Sequence, residues 1–183
     1  KFDNKDDDND NEDFQVAADA FNLTSLFGYK LNDKWALSTL AEYRTAMLDG
    51  QFNNPGYLDL GAGVTWTPIA DLVVVIHPGN YNFVFADEGS TFESSVGAKI
   101  VADYARKLSK GIAWKSNLSV FMSYEDPSEL SNWTWVNGFS TAYKGIGIGL
   151  DIGLRNSKQE SVARELEDNS LQSYYVLGLS YNF

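Results

Sequence analysis

Chemically reactive side chains are scarce in this sequence. His77 is the only histidine among 183 residues, and the chain has no cysteine. A histidine next to a serine or an aspartate can act as a general base. Serine and aspartate are frequent here, but no spacing singles out one of them as a nucleophile. The motif His77-Pro78-Gly79-Asn80 more simply predicts an interrupted strand, because Pro and Gly occur where strand pairing is disturbed. We therefore predict no catalytic residue.

Alternating acids near the N-terminus are the second candidate for chemistry. They are Asp6, Asp8, Asp10 and Glu12. The calcium loop of an EF-hand also requires Gly at its sixth position and Glu at its twelfth, where this sequence has Asn11 and Ala17. An EF-hand is therefore excluded, and the absence of cysteine excludes a thiolate site. A solvated acidic loop is the favoured interpretation, with loose binding of divalent cations as the alternative. We predict no specific metal or cofactor site.

Strict alternation of apolar and polar residues is the strongest structural pattern. Its clearest example is Gly145–Arg155, where glycines, Asp151 and Arg155 separate the apolar residues. A period of two residues is that of a β-strand. The apolar positions are Ile146, Ile148, Leu150, Ile152 and Leu154. Similar alternation predicts nine strands, over Phe14–Lys30, Trp35–Tyr43, Gly56–Thr67, Leu72–Phe85, Phe92–Arg106, Ile112–Tyr124, Trp133–Lys144, Gly145–Arg155 and Leu171–Phe183.

Short and long connections alternate between these strands. The short ones are Asn32-Asp33, Pro68–Asp71, Ser109–Gly111 and Lys144-Gly145. The long ones are Asp49–Pro55, Asp87–Thr91, Glu125–Ser131 and Asn156–Ser170. This alternation predicts an antiparallel meander with all its short turns at one rim, as in an outer-membrane barrel. Of the 25 acidic residues, 17 lie in the opening tract and the long loops, whereas basic residues flank the short turns.

Strand length and aromatic residues favour a membrane barrel over a soluble sheet. Many predicted strands have about ten or more residues, which exceeds the usual ~5–6 and suits a tilted strand that crosses a bilayer. Aromatic side chains gather at strand ends, as in the two girdles of such barrels. An aromatic-rich soluble β-sandwich is the alternative. The longest apolar run, Leu72–Ile76, is too short for a membrane helix, and the net charge of −11 argues against binding of nucleic acid.

The polar faces of the strands carry charges of both signs. Nine charged residues are expected to point inward, namely Glu42, Arg44, Asp59, Glu93, Lys99, Asp103, Lys115, Asp151 and Arg155. They either line a polar conduit or form a network of paired charges that fills the interior. Both signs occur in similar numbers without a ring of one sign, so we predict the network. Inward glycines are expected to allow strand curvature or close packing of interior side chains; they are Gly61, Gly63, Gly147, Gly149 and Gly153.

The C-terminus carries a family resemblance. The ending Tyr175-x-Leu177-x-Leu179-x-Tyr181-x-Phe183 resembles the β-signal by which outer-membrane proteins are recognised for insertion. The wider stretch from Gly28 to Phe183 resembles an outer-membrane barrel family of Bacteroidota that is catalogued as a domain of unknown function. Its motifs here include Gly28-Tyr29-Lys30, Lys34-Trp35-Ala36-Leu37-Ser38 and Tyr57-Leu58-x-Leu60-Gly61-Ala62-Gly63. Asn137 interrupts an otherwise apolar aromatic row, which departs from the pattern. The resemblance implies a location and a fold, and no catalytic or ligand-binding residues.

These observations predict an all-β, antiparallel transmembrane barrel in a bacterial outer membrane. Residues 1–13 are expected to form an acidic extracellular loop and residues 14–183 the barrel strands. The predicted function is a non-enzymatic protein with a structural or accessory role in an outer-membrane assembly. A small-solute channel is the alternative, and a barrel enzyme that uses His77 is a third. The expected partners are outer-membrane lipid, the insertion machinery and other outer-membrane proteins, with no nucleic acid and no cofactor.

Strand directions add an expectation about completeness. Nine strands with a periplasmic C-terminus would place the N-terminus outside the cell, whereas outer-membrane barrels normally start in the periplasm with an even strand count. An odd number of strands is therefore expected before Lys1, and the family resemblance suggests three, for twelve in total. Splitting Leu72–Phe85 into a hairpin at Pro78-Gly79-Asn80 would give ten strands but would spoil the alternation of short and long loops, so we reject it.

Overall fold

The structure, a computed structural model, describes residues 21–45, 52–87, 92–109, 111–144, 146–163 and 170–181. These residues form one antiparallel sheet of nine strands, in which each strand pairs with the next along the sequence. The elements are β1 (Phe21–Lys30), β2 (Trp35–Thr45), β3 (Gly56–Ile69), β4 (Leu72–Phe85), β5 (Ser95–Lys107), β6 (Ile112–Ser123), α1 (Pro127–Leu130), β7 (Asn132–Tyr143), β8 (Ile146–Ser157), α2 (Lys158–Ala163) and β9 (Leu171–Tyr181). Within the described ranges β1 pairs only with β2 and β9 only with β8, so the sheet is not closed.

The all-β, antiparallel prediction is confirmed, and the strand bounds need small corrections. The predicted Leu72–Phe85 is one continuous strand, β4, which agrees with the rejection of a hairpin there. The predicted start at Phe92 is wrong, because β5 begins at Ser95. Just before β5, the N–H of Val84 donates to the hydroxyl oxygen of Ser94, at 2.9 Å, instead of to a backbone carbonyl as it would in a regular strand pair. The ends of the first and last predicted strands, residues 14–20 and 182–183, lie outside the described residues.

Two short helices occupy long connections for which no helix was predicted. The helix α1 starts after Asp126, whose Oδ1 accepts the N–H groups of Ser128 and Glu129, both at 3.1 Å. Pro127 occupies the first turn, where its missing N–H costs nothing. Hydrogen bonds from the Ser128 side chain and the Glu129 backbone lower the pKa of Asp126. No helix in the described residues is long and apolar enough to cross a membrane.

Strand register sorts the side chains onto two faces. The inner face includes Ser38, Asp59, Lys99, Phe121 and Arg155 with their alternate neighbours, and the outer face includes the intervening residues. The inner face is the more buried one: Asp59 is 1% exposed and Lys99 is 3% exposed. On the outer face, by contrast, large apolar side chains are open to the surroundings; examples are Leu37, Leu60, Ile148, Leu150, Leu177 and Leu179. The predicted alternation of Ile146–Leu154 against Asp151 and Arg155 is thus confirmed as a division between faces.

The sheet is strongly curved, with the inner face concave. In a flat sheet β3 and β8 would lie about 24 Å apart, since neighbouring strands are separated by about 4.8 Å. Glu160 nevertheless contacts side chains from both strands. Its carboxylate accepts from the Tyr57 hydroxyl of β3 at 3.4 Å and lies 3.1 Å from Nη1 of Arg155 on β8. The helix α2 therefore lies across the concave face at the rim of the long loops.

A β-bulge disturbs the pairing of β4, though not the strand itself, at His77–Asn80. The register of β4 shifts there against β5, and it shifts against β3 between Ala62 and Val64. β4 thus has one extra residue at this point, so that two of its residues face a single residue on each neighbouring strand. The predicted disturbance of strand pairing at Pro78 and Gly79 is confirmed. The bulge also fixes the facing of His77, which could not be inferred from the apolar residues on both sides of it.

We expect that a side chain at Gly63, the glycine opposite this bulge, destabilises the protein. A Cβ on Gly63 would overlap the carbonyl oxygen of Ile76 and lie 2.8 Å from the Cα of His77, so the backbone would have to move. Overpacking of this kind costs about 1–3 kcal/mol. Gly63→Ala should therefore lower the free energy of unfolding by that amount in denaturant titrations.

Gly79 in the same bulge is the matched control, because a Cβ there meets no atom within 4 Å. Gly79→Ala should change the free energy of unfolding by no more than about 0.5 kcal/mol. Equal effects of the two substitutions would contradict this account of the bulge.

Candidate functional site

A largely buried ion-pair cluster lies on the inner face of β2, β3 and β5, toward the long loops. Nζ of Lys99 on β5 lies 2.6 Å from Oδ2 of Asp59 on β3 and 2.7 Å from Oε2 of Glu42 on β2. Arg44 on β2 lies between the same two acids, with contacts of 3.5 Å to Asp59 and 3.6 Å to Glu42. Two cations and two anions thus neutralise one another. The ammonium of Lys99 and the carboxylate of Asp59 are almost fully buried and have lost their hydration. Each therefore depends on the other to compensate for that loss.

Two asparagines of the bulged strand complete the cluster. Oδ1 of Asp59 accepts the side-chain N–H groups of Asn80 at 3.0 Å and of Asn82 at 3.1 Å. Asp59 thus uses one oxygen for amides and the other for Lys99. We call Glu42, Arg44, Asp59, Lys99, Asn80 and Asn82 the central cluster. The predicted network of paired inner charges is found in these four charged residues, and the two asparagines were not anticipated.

His77 lies beside the central cluster, on the inner face. Its Nε2 is 2.9 Å from the Ser38 hydroxyl, while its Nδ1 has no hydrogen-bond partner among the described residues. A serine bonded to a histidine is the first part of a nucleophilic relay. Both side chains are closed off, however, since His77 is 0% and Ser38 is 4% exposed. The pair therefore contributes to interior packing in this arrangement, where a substrate would have no access to the hydroxyl.

Glycines make room for these interior side chains. A Cβ at Gly61 would lie 2.7 Å from Nδ1 of His77 and 2.6 Å from Oδ1 of Asn80. At Gly153 it would overlap the ring of Tyr174 on the neighbouring strand, and at Gly147 the hydroxyl of Ser180. The predicted role of these glycines in close packing is confirmed at these positions. At Gly149 a Cβ would meet only a carbonyl at 3.9 Å, so packing does not explain that glycine.

A second polar group joins β8 and β9 to the long loops, at the same rim toward which the central cluster lies. Arg155 donates from Nε and Nη2 to Oε1 of Gln172, at 2.8 and 2.6 Å, and forms an ion pair with Glu160. Nearby, Oε1 of Gln159 accepts the N–H of Glu93 at 2.9 Å, and Lys158 is paired with Glu129 of the helix α1. The helix α2 is thereby tied to two other connections, those after β4 and β6, and to the strand β8.

The prediction that all nine charges share one inner network is too broad. Glu93 precedes β5 and is exposed, and its backbone contacts Gln159. Asp103 accepts a bond from Asn117 at 2.6 Å but is exposed, as are Lys115 and Asp151. Asp103 and Lys115 lie toward the short turns and Asp151 lies mid-strand, and no helix among the described residues covers the inner face there. Their separation along and across the sheet keeps them out of the central cluster.

Aromatic rings form bands on the outer face near the short turns. Trp35 and Trp66 stack at 5.6 Å across β2 and β3, and Tyr104, Trp114 and Phe139 follow across β5 to β7 at 5.0 and 6.3 Å. Asn137 lies on this outer face, between Trp135 and Phe139. Its Oδ1 accepts the indole N–H of Trp114 at 3.2 Å, which supplies the partner that an apolar surface would lack. The departure at Asn137 thus leaves the facing of β7 unchanged.

The fold and this site define an all-β protein with an ion-paired polar inner face and an apolar outer face. Residues 3–51 are similar to a family model described as Protein of unknown function (DUF3078). Within that match the structure describes residues 21–45, which form β1, β2 and the turn between them. No curated protein and no solved structure matches the chain. The match supports the resemblance to a domain of unknown function over this segment. The acidic positions Asp6, Asp8, Asp10 and Glu12 lie within it but outside the described residues.

Proposed function

We propose that this chain belongs to a bacterial outer-membrane β-barrel, that it is not an enzyme, and that it has a structural or accessory role in an outer-membrane assembly. The observation that carries the proposal is the separation of polar and apolar side chains onto the inner and outer faces of the sheet. An antiparallel sheet whose outer face exposes long apolar rows, with a band of aromatic rings near the short turns, suits contact with lipid. An aqueous surface would rarely expose apolar area on this scale.

Strand length and curvature support the same proposal. The nine strands have 10 to 14 residues, compared with the ~9–11 that a tilted strand needs to cross a bilayer. In a membrane both free edges, on β1 and β9, would require partners, because an unpaired backbone group in hydrocarbon costs several kcal/mol. Closure with further strands, as the resemblance to a Bacteroidota barrel family suggests, would supply them. The C-terminal motif ending at Phe183 would serve recognition by the insertion machinery.

The proposal of a structural role rather than a channel rests on the interior. The charges of the central cluster cancel, Asp59 and Lys99 in it are buried, and the helix α2 is tied across the concave face above it. A lumen filled by paired charges and covered by a bonded helix offers no ring of one sign to select a solute. Accessory contacts with other outer-membrane proteins would then use the rims and the acidic long loops.

Reconstitution tests both parts of the proposal. Purified full-length chain, folded into phosphatidylcholine vesicles, should gain a β-sheet circular dichroism signal and resist trypsin except at the loops. In planar bilayers it should produce no ohmic current steps. A monodisperse, folded protein in buffer without detergent would contradict membrane insertion, because the exposed apolar rows would then face water. Clear current steps after insertion would contradict only the filled lumen.

A small-solute channel is the second candidate, favoured by one feature of the inner face. Near the short turns a depression of about 560 Å³ is lined mainly by small residues, among them Gly147, Gly149 and Gly178. Conductance measurements distinguish it from a filled barrel. The third candidate, an enzyme that uses His77, is tested by His77→Ala, and unchanged activity in any assay that detects turnover would eliminate it.

A further inference from the structure

The two rims of the sheet differ in charge among the described residues. Because the strands form an antiparallel meander, the turns after β1, β3, β5 and β7 share one rim. We call it the short-turn rim; its basic residues are Lys30, Lys34, Arg106, Lys107 and Lys144, and its acidic residues are Asp33 and Asp71. The described connections at the opposite rim carry Asp87, Glu93, Glu125, Asp126, Glu129 and Glu160 against Lys158. The short-turn rim therefore carries a net positive charge on a protein whose total charge is −11.

These cations are exposed and weakly paired. Lys30 lies 2.9 Å from Asp33, but the two side chains are 71% and 97% exposed, and Arg106 is 4.0 Å from Asp71. Exposed pairs of this kind are weak, because solvent screens the two charges, and they leave the cation available to a competing anion. Lys34, Lys107 and Lys144 are likewise exposed, and the described part of the chain holds no ion pair for them.

Aromatic rings lie immediately beside these cations. The stacked Trp35 and Trp66 adjoin the turn that holds Lys34, whose carbonyl accepts the N–H of Thr67 at 2.8 Å. At the fourth turn Nζ of Lys144 lies 5.3 Å from the ring centre of Tyr143, which is 73% exposed. Amphipathic rings favour the level of lipid headgroups, and neighbouring ammonium groups would then meet the phosphates of the same headgroups.

We infer that the short-turn rim binds the headgroups of anionic phospholipids in the leaflet that it faces. This inference rests on the proposed membrane location. The cations are distributed over three of the four short turns rather than gathered at one point, so they match a charged plane better than a single free phosphate. The charge complementarity and the adjoining band of rings together identify a lipid surface as the partner.

Quenching by brominated lipids measures this preference directly. The full chain is reconstituted into phosphatidylcholine vesicles that contain a small, equal fraction of brominated phosphatidylglycerol or brominated phosphatidylcholine. Trp35, Trp66 and Trp114 lie near the short-turn rim and report contact by loss of fluorescence. A basic residue near an anionic surface contributes a factor of about five in affinity. We expect phosphatidylglycerol to be preferred by at least about fivefold, and the preference to vanish in 1 M salt, where screening acts within about 3 Å.

Substitutions test whether the preference for phosphatidylglycerol comes from the short-turn rim. The triple variant Lys34→Gln, Lys107→Gln and Lys144→Gln leaves the described residues of the short-turn rim with no net charge and should lose most of the preference, whereas Lys158→Gln at the opposite rim should keep it. Quenching by both lipids without any preference would overturn the inference while leaving membrane insertion intact. A preference abolished by millimolar inorganic phosphate would instead identify a site for the free ion and also overturn it. Absence of quenching by either lipid would contradict the proposed membrane location itself.

Discussion

Replacing Lys99 with Met is expected to lower the free energy of unfolding by about 3–5 kcal/mol, the cost of leaving a buried charge without its partner. The ammonium of Lys99 touches Asp59 and Glu42, and Asp59 has only 1% of its surface exposed. Met fills a similar volume, so lost packing contributes little. Arg44 is the other cation near Asp59, but at 3.5 Å and partly exposed it compensates only in part. Denaturant titration of the protein folded in detergent or vesicles measures the loss.

Lys115→Met is the matched control, because Lys115 is on the same face and exposed. It should change the free energy of unfolding by no more than about 0.5 kcal/mol. A double variant, Lys99→Met with Asp59→Leu, removes both buried charges together. It should recover part of the loss, since replacing a whole buried pair by apolar groups is often neutral. A single Lys99→Met variant as stable as the unchanged protein would show that the central cluster is not a structural element.

Local sequence patterns predicted the sheet well, because alternate residues of a strand face two different environments and differ in polarity accordingly. In Ile146–Ser157 the apolar residues and the glycines fall on opposite faces of the sheet, as their period of two requires. The disturbed pairing in β4 was also predictable, since Pro78 and Gly79 are residues that occur where strand pairing is broken. Even α1 had a signal that was overlooked, namely Asp126 as a capping residue followed by Pro127 at the helix start.

Membership of the central cluster could not be predicted in the same way. Glu42, Asp59 and Lys99 come from three strands and are far apart in sequence, so their contact depends on curvature and on the stagger between strands. Alternation assigns each of them to the inner face but says nothing about position along it. That is why Asp103 and Lys115, with the same alternation, were assigned to the network and instead are exposed. The contact of Asn80 and Asn82 with Asp59 depends on the bulge for the same reason.

The second large effect concerns Leu150 on the outer face, and it follows from the proposed membrane location. Leu150 lies mid-strand in β8, paired with Phe139 on one side and Leu177 on the other. If this face meets hydrocarbon, Leu150→Arg should cost about 2–4 kcal/mol, as basic residues do near the bilayer midplane. The amount of folded protein recovered in vesicles should fall accordingly. Leu150→Ala separates the loss of apolar contact from the effect of the charge.

The neighbouring residue gives the opposite expectation. Asp151 points to the inner face, where its carboxylate lies over Gly138 and remains exposed to solvent. Asp151→Asn preserves the shape of the side chain and removes a charge that has no ion pair among the described residues, so its folded yield in vesicles should be nearly unchanged. Leu150 and Asp151 are adjacent in β8, but their side chains lie on opposite faces of the sheet. The substitution at Leu150 is therefore expected to be severe and the one at Asp151 harmless. If the Leu150→Arg and Asp151→Asn variants gave equal yields, the outer face would not be the lipid-facing side of the sheet.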